Sequence, residues 1–150
     1  MQLTGNQVLN ADSSTIWQML MDSDVLAKIV PGISKLEHLD DNTFRSTIEM
    51  KFGPVSGSFN GNLQMEDLTD QKSFILKTQQ NSKIGSANAA IKIELANAGD
   101  HKTQVSFNGD VKLSGLLANM GQRLIGSVAN ALTKQFFTNF EKELEKSRDK

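Results

Sequence analysis

Apolar and polar residues alternate through the middle of the chain and change to helical spacing towards its end. Phe44, Ser46, Ile48, Met50 and Phe52 share one side, and Arg45, Thr47, Glu49 and Lys51 the other. That two-residue period is the signature of a half-buried strand. It recurs in Val55–Met65, Phe74–Thr78, Ala87–Leu95 and Val105–Leu113, with corners at Gly53-Pro54, Leu68–Lys72 and Asn97–His101. Short connections between consecutive strands predict an antiparallel meander with one wet face and one dry face.

Different patterns flank this region. Leu3–Leu9 reads as a short strand. Asp12, Ser13, Ser14 and Thr15 then offer N-cap oxygens before an apolar face of Ile16, Trp17 and Leu20. A second short helix, capped near Asp22 or Ser23, carries Leu26 and Ile29 and must stop before Pro31. From Ser114 to about Arg148 the spacing of Leu117, Met120, Leu124, Val128, Leu132, Phe136, Phe140 and Leu144 predicts one long helix. Its length of roughly 45–50 Å is enough to lie across a whole sheet. Gly121 and Gly126 fall inside that span. The expected architecture is α+β: a single helix-grip domain over residues 1–150, in which a curved antiparallel sheet wraps around a long C-terminal helix and two short helices lie near the N-terminus.

The dry face is interrupted in an unusual way. Gly57, Gly61, Ala87, Ala89 and Gly109 alternate there with Phe52, Phe59, Phe74 and Phe107. One reading is tight packing, with glycines relieving strand curvature and rings filling the space. The reading adopted is an apolar cavity between sheet and helix, since small residues remove volume that a filled core needs. Its expected ligand-binding residues are Val30, Pro31, Met50, Phe52, Phe59, Leu63, Phe74, Leu76, Ala89, Phe107, Met120, Leu124 and Val128, with Val30-Pro31-Gly32 as the portal.

Composition narrows the function. Of 150 residues, 38% are hydrophobic and 22% charged, which fits a folded globular chain. With 16 basic and 17 acidic residues the net charge is −1, which argues against a nucleic-acid binder. Cysteine is absent, so thiol catalysis and zinc-thiolate sites are excluded, and a reducing cytoplasm is compatible. No apolar run reaches the ~20 residues of a membrane span, and the N-terminus lacks the pattern of a signal peptide. A cytoplasmic protein is expected.

Candidate chemistry is sparse. His38 and His101 fall beside turns and read as solvated. Asp22 and Asp24 fit helix capping better than metal binding. Ser56, Ser58, Ser82, Ser86 and Ser106 have no histidine base in sight. Arg123 reads as a surface residue and Trp17 as core. No catalytic residue and no metal ligand is predicted, and the protein is expected not to be an enzyme.

Several stretches carry a family resemblance over nearly the whole chain. They are Met1–Gly5, Ile16-Trp17, Val30-Pro31-Gly32-Ile33 with Leu36-Glu37, Phe52-Gly53-Pro54-Val55 followed by Phe59 and Gly61, Gly121–Ile125, and Gln135-Phe136-Phe137. In order and spacing the sequence resembles the carbon monoxide dehydrogenase CoxG family of the START-like (SRPBCC) superfamily. The resemblance implies a hydrophobic ligand tunnel and a bound isoprenoid quinone or lipid, with no covalent cofactor. It also implies a molybdenum-containing dehydrogenase as partner, served by carrying quinone or by recruitment to the inner face of the membrane. The charged stretch Glu141–Lys150 does not match the membrane-associating segment of many family members, so only transient membrane contact is expected. Two alternatives stay open: a cyclase- or hydrolase-type enzyme on the same fold, and a docking protein with a filled core.

Overall fold

A computed structural model describes residues 1–148. The elements run β1 (Gln2–Leu9), α1 (Ser13–Leu20), α2 (Ser23–Ile29), β2 (Ile33–Asp40), β3 (Thr43–Phe52), β4 (Val55–Thr69), β5 (Ser73–Ser82), β6 (Gly85–Asn97), β7 (Thr103–Ser114), a 3-10 segment (Gly115–Asn119) and α3 (Gln122–Arg148). The seven strands form one antiparallel sheet in the order β1-β7-β6-β5-β4-β3-β2. Strands β2 to β7 are a meander, and β1 closes it by pairing Gly5 with Phe107 on β7. The meander gives the molecule two ends. At one meet the β3–β4 and β5–β6 turns and the 3-10 segment; at the other lie the β2–β3, β4–β5 and β6–β7 turns.

The expected dry and wet faces are present. On β3, Phe44 and Ser46 are buried while Arg45 and Glu49 are exposed. Two of the glycines on the dry face, Gly61 and Gly109, permit close backbone approach. A Cβ on Gly61 would stand 1.7 Å from the Gln79 carbonyl oxygen, and one on Gly109 would stand 2.3 Å from that of Ala90. Only glycine fits there.

Two apolar clusters hold the layers together. The larger joins Leu9, Ile16, Trp17, Leu20, Phe44 and Phe74 to Phe137, Phe140 and Leu144 at the far end of α3. Trp17 meets Phe74 edge-on, ring centroids 5.8 Å apart, and is a core residue. The smaller joins Val55 and Phe59 to Leu117, Ile125 and Val128. The short helices are capped in different ways. Asp22 accepts from the Asp24 N–H at 2.9 Å, whereas the Asp12 carboxylate leaves its helix to meet His101 Nδ1 at 3.1 Å.

The long helix departs from expectation at its start. It begins at Gln122, not Ser114, because Gly121 takes φ +85° and separates it from the 3-10 segment. A residue in the left-handed region cannot lie inside an α-helix. At 27 residues, α3 spans about 40 Å. The Asn139 side-chain amide donates to the Ile29 carbonyl at 3.3 Å and ties α3 to α2. Gln7 on β1 donates to Glu141 and ties it to the sheet edge. Of the charged stretch Glu141–Lys150, Asp149 and Lys150 lie outside the described residues.

Candidate functional site

Tied to α2 and β1 through its far half, α3 bridges an apolar hollow made of two chambers. The smaller, about 210 Å³, lies beneath the first turns of α3, between Val55, Phe59, Ala87, Val111, Leu117, Ile125 and Val128. The larger, about 320 Å³, runs from Leu20, Ile91, Ile93 and Val105 to Val30, Pro31, Phe107, Phe136 and Phe137. Leu3, Met50, Leu132 and Thr133 border both, so the chambers meet at the middle of α3. Volumes of this order suit a small amphiphile or part of a longer tail.

The lining is almost wholly apolar. Among the described residues no Asp, Glu, His, Lys or Arg borders either chamber, and the side-chain hydroxyls there are those of Thr78 and Thr133. Both hydroxyl protons are committed: Thr78 donates to the Asn62 carbonyl at 2.8 Å, and Thr133 to that of Ala129 at 2.9 Å. Met1 borders the smaller chamber too, and its amino group donates to the Val111 carbonyl at 2.9 Å. Behind Thr78 lies a buried amide. Gln80 Nε2 donates to Ser46 Oγ and to Thr78 Oγ1, each at 3.0 Å, while its Oε1 has no partner among the described residues. Because the Thr78 proton goes to Asn62, Thr78 faces Gln80 with lone pairs, and that sets the amide orientation. Such a site takes up hydrocarbon at roughly 25 cal/mol per Å² buried and offers a strongly polar group nothing fixed to bind.

The structure sorts the sequence-predicted residues into three groups. Val30, Pro31, Met50, Phe59, Phe107 and Val128 border the chambers. Leu63 and Phe74 are packed solid in the larger cluster with Leu76 against them, and Phe52 and Met120 pack against the smaller cluster. None of these five borders either chamber. Ala89 borders the trough on the other side of the sheet and neither chamber. Leu124 borders no chamber; its neighbour Ile125 takes the inward position. Sequence reasoning missed Ile125, Phe137, Thr133 and Gln80. Gln80 was within reach, since it continues the inward series Phe74, Leu76, Thr78.

A larger hollow lies elsewhere and has another character. The trough of about 550 Å³ across the wet face is bordered by Asn62, Gln64, Lys77, Asn88, Asp110 and Lys112. It is open and polar, the concavity that twist leaves among long side chains. There Glu66 holds the Lys77 pKa above its ordinary value through a 2.9 Å hydrogen-bonded ion pair. His38 stacks on Phe44 at the sheet edge, centroids 4.7 Å apart, and His101 is exposed beside Asp12. Arg123 is exposed. Among the described residues no group of three or more His, Cys, Asp or Glu could hold a metal ion, and no helix is long and apolar enough to cross a membrane.

Comparison with known families places the chain in one of them. The model of the carbon monoxide dehydrogenase CoxG family matches residues 5–145. The chain belongs to the CoxG family. No curated protein matches it. Among solved structures, a conserved protein from Geobacillus kaustophilus is 26% identical, with a TM-score of 0.94 over 98% of this chain and 97% of that one. A START superfamily protein from Mycobacterium smegmatis is 13% identical, with a TM-score of 0.73 over 97% of each chain. The Zhui aromatase/cyclase from Streptomyces sp. R1128 is 12% identical, with a TM-score of 0.74 over 97% of this chain and 93% of that one. These last two likenesses show the START-like fold alone. CoxG membership and this fold suggest a ligand-binding accessory role.

Proposed function

We propose that this CoxG protein is a noncatalytic carrier of an amphiphile with a long apolar tail, an isoprenoid quinone or comparable lipid. It serves a molybdenum-containing dehydrogenase of the carbon monoxide dehydrogenase type from the cytoplasmic side. The observation that carries this reading is the double chamber under α3. It is apolar, bordered by no titratable side chain among the described residues, and its threonine protons are already donated to backbone carbonyls. Acid–base or nucleophilic catalysis needs a reactive side chain within reach of the substrate, and the lining offers no titratable one. Met50 lends the junction a side chain that adapts to irregular shapes.

Titration of the delipidated protein with a short-tailed quinone, a fatty acid and a nucleotide tests the ligand class. Quinone binding is expected to be tightest and nucleotide binding undetectable. A fatty acid that binds more tightly than the quinone removes the redox role and leaves a lipid carrier. Nucleotide binding as tight as quinone binding ends the carrier reading. Thr133→Phe places a ring at the junction of the chambers. The protein should remain folded and lose about tenfold or more in quinone affinity, equivalent to about 1.4 kcal/mol.

A further inference from the structure

The two ends of the meander carry opposite charge, although the whole chain is nearly neutral. At the end that holds the smaller chamber, segments 51–56, 82–86 and 112–123 contain Lys51, Lys83, Lys112 and Arg123 and no acidic residue. All four are exposed. At the other end the turns expose Asp40, Asp41, Asp67, Asp70 and Asp100 against Lys72 and Lys102.

The basic end also carries the most exposed large apolar side chain among the described residues. Leu116 on the 3-10 segment is 59% exposed. Around it Phe52, Ile84 and Met120 are only partly buried, and Pro54 is exposed. The segment is anchored by the Leu117 N–H, which donates to the Ile84 carbonyl at 2.9 Å, and is bracketed by Gly115 and Gly121 at φ +69° and +85°. Leu117 borders the smaller chamber, one residue from the exposed Leu116.

We propose that this end docks on an anionic lipid bilayer, with Leu116 entering the interface and Lys51, Lys83, Lys112 and Arg123 facing the headgroups. Basic side chains at the same end as an exposed leucine match the charge and the layering of such a surface. The acidic far end is repelled by it, so the protein stands end-on. An amphiphile leaving the bilayer then meets the segment that borders the smaller chamber. The proposal rests on the carrier reading for its purpose but not for its test.

Flotation with vesicles of phosphatidylcholine alone, or with phosphatidylglycerol added, reads the docking directly. The protein should bind the anionic vesicles only, and high salt should release it. At about fivefold per basic residue, Lys83→Glu with Arg123→Glu should lose about twentyfold or more in partitioning. Leu116→Ser should weaken partitioning on its own. Lys72→Glu with Lys102→Glu makes the same change in net charge at the other end and should leave partitioning within about twofold. Equal losses from the two double variants, or equal binding to neutral vesicles, overturn the proposal. No binding to either vesicle overturns it too and assigns the basic end to an acidic protein surface. Uptake of a short-tailed quinone from free solution, measured on the same variants, should be unchanged. Failure of that uptake with docking intact refutes the carrier reading and leaves the docking surface standing.

Discussion

Gly61 and Gly126 look alike in sequence, each a glycine inside a regular element, yet their surroundings demand opposite outcomes on substitution. The Cβ of an alanine at 61 would fall 1.7 Å from one backbone atom and 2.7 Å from the next, and neither can step aside without breaking the β4–β5 pairing. At 126 a Cβ meets nothing within 4 Å. Gly61→Ala should therefore destabilise by about 3 kcal/mol or more. Gly126→Ala should stabilise by about 0.5–1 kcal/mol through helix propensity. Urea midpoints of the two variants check both signs. A leucine at 61 consequently tests the fold and not the chamber, which is why the ring at Thr133 is the better block. The alternation in the sequence showed that the dry face holds glycines. It did not show that Gly61 sits against the next strand's carbonyl, because that distance depends on how two strands cross, not on spacing along either.

Along α3 the same apolar face does two jobs. Phe137, Phe140 and Leu144 at its far half fill the larger cluster, while Ile125 and Val128 at its near half border open space. Truncation should be felt accordingly. Phe140→Ala, at a position with 0% exposure, should lose about 3–5 kcal/mol. Val128→Ala removes less buried surface beside an existing void and should lose about 1 kcal/mol or less. Equal losses in equilibrium denaturation would mean that the near half of α3 rests on the sheet after all. The wrong choice of Leu124 over Ile125 has a geometric origin. A strict four-residue step turns about 40° past a full circle, so five steps back from Leu144 carry Leu124 about 200° around the helix. The break at Gly121 hid this, since Leu117 and Met120 seemed to extend the series and belong to a separate segment. Element type and order were legible in the periodicity; phase over seven turns was not.

For the whole molecule, curvature, stand-off and stability are coupled. Gly61 and Gly109 let neighbouring strands approach closely, α3 is tied at α2 and β1, and an apolar space stays open between helix and sheet. The apolar lining was legible as a property of the dry face. Which phenylalanines line it was not, because Phe74 and Phe107 share face and chemistry and differ only in what α1 and α3 place above them. A ligand that binds the folded chain alone adds stability by mass action, about 2.7 kcal/mol when present at 100 times its Kd. For a chain of this size that corresponds to a rise in Tm of roughly 5–10 °C. Delipidated protein should show this rise with a short-tailed quinone and none with a nucleotide at equal concentration, in scanning calorimetry. Thr133→Phe separates filling from binding, since its ring occupies the junction permanently. Its ligand-free Tm should equal or exceed that of the parent, and added quinone should move it by less than about 1 °C. A Thr133→Phe protein that still gained the full shift would place the bound ligand outside the chambers.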